Sequence, residues 1–191
     1  MSLTQALVAT TDLDSLAARV AELATREADA DSALLLLVDS ETGVLYPAAS
    51  YGQAPPAGAL LRIGEGIAGW VAKTVEPLTL QGTLVDGGRS AGFAETASAV
   101  CLPLVAKGRA VGVLLLAKGA GSVPFSEADN ELLSILAEGA AVAVENARLF
   151  TDLQRAYARL AELDHRKNEF ISLAAHELRS PLAAVITYAT L

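Results

Sequence analysis

From Leu149 onward the apolar positions run Leu149, Leu153, Ala156, Leu160, Leu163, then Lys167, Phe170 and Ala174. The steps are 4, 3, 4, 3, 4, 3 and 4 residues, a heptad seam interrupted only at the lysine. A strand repeats with period two and cannot gather these positions on one face, whereas a helix of about 3.6 residues per turn can. Glu162 and Arg166 form a favourable pair one turn apart outside the seam, and His165 falls two past a core position, where it is solvated. If the helix is continuous from Ser126 to Leu191, it is about 100 Å long at about 1.5 Å per residue. One chain cannot bury such a stripe alone. The expectation is a homodimer through the helix 126–191, paired as a parallel two-stranded coiled coil; the alternative is an amphipathic tail folded back on its own domain.

Charge is uneven along the 191 residues. Residues 145–180 hold six bases and six acids, so the whole net charge of −8 falls on the first 144, with eight bases against sixteen acids. An acidic globule argues against nucleic acid or an anionic membrane as partner. The longest uninterrupted apolar run, Ala33 to Val38, is far short of the roughly 20 residues a membrane span needs. No basic segment precedes a long apolar one near the N-terminus, which argues against a signal peptide and for a cytoplasmic protein. One cysteine, Cys101, excludes an intrachain disulfide and a multi-cysteine zinc site, and no metal site is expected.

Hydrophobic content of 52% is ample for a core in the first part of the chain. Residues 12–28 read as an amphipathic helix with Leu13, Leu16, Ala17, Val20, Leu23 and Ala24 on one face. Ser32 to Asp39 is a buried strand, and turn chemistry at Asp39-Ser40-Glu41-Thr42-Gly43 returns Val44 to Ser50 as its antiparallel partner. A loop with Pro55, Pro56 and Gly58 leads to a short strand at Leu60 to Ile63, a short helix at Gly66 to Lys73 and a strand at Pro77 to Leu80. Residues 81–97 read as a loop. Ala99 to Ala106 and Ala110 to Ala117 form a hairpin across Lys107-Gly108-Arg109. Ser126, with Asp129 three residues later, opens the long helix through a capping box. Strands in sequential pairs with helices at both ends predict an α+β domain with an antiparallel sheet.

Three stretches carry a family resemblance: Gly64-Glu65-Gly66-Ile67-Ala68-Gly69-Trp70-Val71-Ala72, the Leu102-Pro103-Leu104 strand with its Gly112-Val113-Leu114 partner, and Phe125 through Glu145-Asn146-Ala147-Arg148-Leu149. Together they resemble a GAF domain over about residues 12–148, which implies a sensory domain at 1–148. The matching positions are structural, so the ligand stays unknown. Both histidines lie outside the sheet domain, which argues against a histidine-ligated haem within it, and Cys101 sits mid-strand as a small buried hydrophobe with no histidine near it to suit a bilin. The Asn-Lys-Phe-Asp-Glu signature of cyclic-nucleotide GAF domains is absent. Trp70, Asp86, Arg89 and Phe93 are the candidate pocket residues, because the loops around the sheet face are where such domains bind; a pure dimerisation module with no ligand is the competing reading. No cofactor is expected in this chain.

Gly64, Gly66 and Gly69 also spell G-x-G-x-x-G, with Asp86 twenty residues past Gly66, the form of a dinucleotide fingerprint. The following helix is stopped by Pro77 after about two turns, too short for a βαβ crossover, and Asp86 falls in a glycine-rich loop. Glu65 would set a carboxylate beside the pyrophosphate. The glycines are expected to make a tight strand-to-helix turn instead.

Near the end stands Phe170 and then His176-Glu177-Leu178-Arg179-Ser180-Pro181-Leu182. A neutral imidazole can attack a phosphoryl group, and a carboxylate next to it can take the proton from the other ring nitrogen. On a helix, Ala174 and Leu178 each lie about 200° from His176. The stripe Phe170, Ala174, Leu178, Leu182, Val185 can therefore be buried while the histidine stays open. The segment resembles the H-box of sensor histidine kinases. The resemblance implies that His176 is the phosphoacceptor, Glu177 its acid/base partner and Arg179 part of a flank for partner or nucleotide contacts. It also implies that Pro181 bends the helix. Ser180 stands where the family usually has threonine; it keeps the hydroxyl that orients water for dephosphorylating a response regulator, but loses the methyl that restricts its rotamer.

The expected organisation is a sensory domain, a coiled-coil signalling helix at 149–167, and the start of a dimerisation and phosphoacceptor domain at 168–191. In this reading the chain is the N-terminal sensory and phosphoacceptor portion of a two-component histidine kinase, relaying phosphate from His176 to a response-regulator aspartate. ATP and Mg²⁺ belong to an ATP-binding domain outside this chain, acting in cis or in trans, so the chain alone is expected to be inactive. The alternative is a short non-enzymatic module that pairs with or titrates a full-length kinase.

Overall fold

The structure is a computed structural model; it describes residues 13–52, 60–81 and 96–189, with side chains described over 13–52, 60–81 and 97–171. The chain divides into two compact units, Met1–Arg148 and Leu149–Leu191. In chain order the elements are α1 (Leu13–Glu27), β1 (Ser32–Val38), β2 (Val44–Tyr51), β3 (Leu61–Arg62), α2 (Gly66–Thr74), β4 (Leu78–Gln81), β5 (Thr96–Ala106), β6 (Arg109–Gly119) and α3 (Glu127–Ala189). The loop holding Pro55, Pro56 and Gly58, and most of the 81–97 loop, lie outside the described residues.

All six strands form one antiparallel sheet in the order β3-β2-β1-β6-β5-β4. The two hairpins follow from local turn chemistry. Between β1 and β2, the Asp39 carboxylate accepts hydrogen bonds from the backbone N–H groups of Glu41 (2.8 Å) and Thr42 (3.0 Å). These bonds, Thr42 first, hold its pKa below the usual carboxylate range. Between β5 and β6 the turn is only Lys107-Gly108, with φ of 54° and 76°, the paired positive values of a type I′ hairpin.

β1 is buried along its whole length because the sheet is covered on both faces. Its odd residues Ala33, Leu35 and Leu37 join the buried faces of α1 and the start of α3. Its even residues Leu34, Leu36 and Val38 join α2 and Leu45 on the other side. The period-two alternation thus feeds two separate cores. β6 changes parity once: Ala110 pairs with Val105 and Gly112 with Leu104, which leaves Val111 as the extra residue of a bulge. Val111 consequently points into the core shared with α1 and α3, ahead of Leu114 and Leu116.

Helix ends have identifiable causes. Asp29 takes a left-handed φ of 48° just past α1. Ser126 and Asp129 cap α3 reciprocally, Ser126 N–H to the Asp129 carboxylate at 2.8 Å and Asp129 N–H to Ser126 Oγ at 3.1 Å. α3 then runs 63 residues. In the first unit it buries Leu133, Leu136, Ala137, Ala140, Ala141, Val144 and Ala147 against the sheet.

Candidate functional site

The glycine-rich segment makes a strand-to-helix turn whose backbone groups are already engaged. Gly64 and Gly66 have φ of 91° and 64°. The Gly64 N–H donates to the Gly69 carbonyl at 2.7 Å, the Glu65 N–H to Arg62 at 2.9 Å and the Gly69 N–H to Glu65 at 3.1 Å. The Glu65 carboxylate accepts from the Arg62 N–H at 3.2 Å. A phosphate would find those amides occupied and a carboxylate beside them. Gly69 has a second reason: a Cβ there would collide with the Arg62 carbonyl oxygen.

α2 buries Ala68, Gly69, Val71 and Ala72 and leaves Trp70 on its outer face, 41% exposed. Of the four candidate pocket residues, Trp70 alone is described; Asp86, Arg89 and Phe93 lie outside the described residues. Cys101 is 2% exposed in the core beneath α2, and burial pushes its thiol far up, so thiolate chemistry is closed to it. Among the described residues no group of three His, Cys, Asp or Glu side chains could hold a metal.

A groove of about 490 Å³ opens elsewhere, between the β4–β5 end of the sheet and the first turns of α3. Pro77, Thr79, Leu102, Glu127, Asn130, Glu131, Ser134 and Ile135 line it. Its polar side carries two carboxylates and Asn130, whose buried Oδ1 has no hydrogen-bond partner among the described residues. Sequence reasoning missed this groove, since its residues come from three elements and share no spacing.

The second unit is helical. The backbone of α3 carries His176, Glu177, Ser180 and Pro181 and continues to Ala189, while the side chains of these residues lie outside those described. Upstream, Leu149, Leu153, Leu160, Leu163 and Phe170 are all exposed, as are Phe150, Tyr157 and Ile171 beside them. His165 is exposed too, with Arg166 bonded to Glu162 at 2.6 Å. Among the described residues no helix is long and apolar enough to cross a membrane.

Comparison with known proteins adds identity. The family profile of the GAF domain matches residues 10–145. Hybrid signal transduction histidine kinase G of Dictyostelium discoideum is 27% identical in an alignment of 132 residues, taking in 61% of this chain and 4% of that protein. The chain thus spans a small fraction of that relative. Among solved structures, the GAF domain of a phosphoenolpyruvate-protein phosphotransferase from Coxiella burnetii is similar at a TM-score of 0.68 and 21% identity, covering 78% of this chain and 92% of that one. Free methionine-R-sulfoxide reductase from Neisseria meningitidis, in complex with its substrate, is similar at a TM-score of 0.64 and 21% identity, covering 76% and 86%. At those identities the likeness is one of fold. With the matched profile spanning most of the chain and the six-stranded antiparallel sheet packed between helices, this protein belongs to the GAF domain family.

Proposed function

We propose that this chain is the sensory and phosphoacceptor portion of a two-component histidine kinase, in which the GAF domain controls phosphorylation of His176 and its relay to a response-regulator aspartate. The observation that carries the reading is the string His176-Glu177-Leu178-Arg179-Ser180-Pro181-Leu182 on the same helix that leaves the sheet domain. The partial match to a hybrid histidine kinase supports it. His176 accepts the phosphoryl group as the neutral imidazole, Glu177 takes the proton released from the other ring nitrogen, and Ser180 orients water for dephosphorylating the regulator. An ATP-binding domain, in cis or in trans, supplies ATP and Mg²⁺. Two chains pair through the exposed apolar stripe of α3. A ligand or partner at the GAF domain shifts the packing of that pair between two arrangements that differ by a few kcal/mol.

A thiol-based reduction of the kind a sulfoxide needs has no accessible thiol here, because Cys101 is the sole cysteine and is buried. The test of the kinase reading is phosphorylation in trans. The chain is incubated with labelled ATP and an isolated histidine-kinase ATP-binding domain. Acid-labile label is expected on the chain, and none on His176→Gln. Label that survives the substitution, or its absence across a panel of such domains, would return the chain to a purely interacting role.

A further inference from the structure

Glu127, Asn130 and Glu131 are neighbours on one face of α3 and form a side of the groove at the β4–β5 end of the sheet. The Asn130 backbone N–H is used within the helix, donating to the Ser126 carbonyl at 3.1 Å, while its buried Oδ1 has no hydrogen-bond partner among the described residues. Neither glutamate has an ion pair among the described residues, and no lysine, arginine or histidine lines the groove. For the fold alone this arrangement is unfavourable. A buried acceptor with no donor lowers stability, and like charges one turn apart repel. The helix dipole favours Glu127 in the first turn but not Glu131 a turn further in. The rest of the wall is largely apolar, from Pro77, Leu102 and Ile135. Leu102 belongs to the core shared with α3, whereas α2 and its Trp70 cover the other core, so the groove lies on the opposite face of the sheet from Trp70.

We propose that this groove binds a small organic cation, a primary ammonium carried on an apolar body. The ammonium N–H groups donate to Asn130 Oδ1 and to the Glu127 and Glu131 carboxylates, and the body lies against Pro77, Leu102 and Ile135. The chemistry matches on both counts. A primary ammonium has three donors and no acceptor, and these three side chains offer acceptors that lack a donor. Its charge offsets two carboxylates that nothing else in the groove offsets. The volume of about 490 Å³ is that of a small-molecule site, and an apolar wall with a few convergent polar groups is what holds such a ligand. A hydrated metal ion would make no use of that wall. Nothing in this site depends on His176 or on a kinase, so it stands or falls apart from the proposed function.

The test is a titration of the full chain at neutral pH with phenethylamine, followed by backbone amide NMR shifts. Saturable shifts at the amides of residues 127–135 are expected, with a dissociation constant of about 1 mM or tighter. Two relatives of the probe separate charge from donors. Phenethyl alcohol keeps the body without the charge, and trimethylphenethylammonium keeps the charge without an N–H. Each is expected to bind at least about tenfold more weakly. Glu127→Gln combined with Glu131→Gln is expected to weaken phenethylamine by at least about tenfold with the circular dichroism spectrum unchanged. Asn130→Leu removes the unpaired acceptor at similar volume, so it should melt no lower than the parent while losing at least about tenfold in affinity. No saturable shift at about 10 mM phenethylamine would overturn the proposal. So would shifts confined to other residues, the alcohol binding as well as the amine, or an affinity that the double glutamate variant leaves intact. An Asn130→Leu chain that binds like the parent would remove Asn130 from the site and overturn the three-acceptor arrangement.

Discussion

Gly69 shows how a residue can look like one thing and do another. In an exposed helix, alanine is favoured over glycine by about 1 kcal/mol. Here the missing Cβ is what lets α2 pack on the strand before it, since the Arg62 carbonyl fills that space. Gly69→Ala is therefore expected to destabilise the fold by about 1–3 kcal/mol, read as a lowered urea midpoint with unchanged slope. Glu145 offers a pH test. It lies mostly buried on α3 and meets Lys107 of the β5–β6 turn at 2.9 Å. The hydrogen bond from Lys107 is the largest cause holding its pKa below the usual value. A depressed carboxylate stabilises the fold above its unfolded pKa of about 4.3, and that stabilisation is lost as pH falls through the lower folded value. Glu145→Gln should cost no more than about 1 kcal/mol at pH 7, allowing for solvent around the exposed end of Lys107. The difference from the parent should shrink as the melts are taken below about pH 4.3 and vanish only under the depressed folded value.

Elements divide by how local their determinants are. Both hairpins, the capping box of α3 and the helix α1 were legible because turn residues and apolar spacing act within a few positions. β5 and β6 run two or three residues beyond their apolar centres, to Thr96 and Gly119, because ladder pairing extends past the buried residues. The adjacency of β1 and β6 was not legible. No spacing rule encodes which strands meet at long range, and the bulge at Val111 shows only once the pairing is known. The groove beside Asn130 escaped for the same reason, whereas the string His176 to Leu182, on which the proposed function rests, consists wholly of adjacent residues. α3 carries the element-scale prediction. Leu160 is 65% exposed in the single chain, so Leu160→Asp should leave the melting of the monomeric sheet domain, measured at concentrations too low for pairing, unchanged. It should also weaken self-association at least about tenfold in sedimentation, since a buried carboxylate on each helix costs well over about 1.4 kcal/mol. Retained association would locate the pairing elsewhere.

At the scale of the whole domain, the first strand and the last are neighbours at the centre of the sheet, and the turns of α3 up to Ala147 close one of its two cores. A fragment ending at Gly119 would have all six strands and a bare apolar face. It is expected to aggregate or bind a hydrophobic dye, while one ending at Arg148 should melt cooperatively. The consequence reaches into synthesis. Contacts between strands some eighty residues apart make for slow folding, because the long loop must close before they stabilise anything. A growing chain cannot finish its GAF domain until the first turns of α3 have left the ribosome. Sheet and helix are thus completed by one folding event, and a chain with a half-made α3 has no finished domain beneath it.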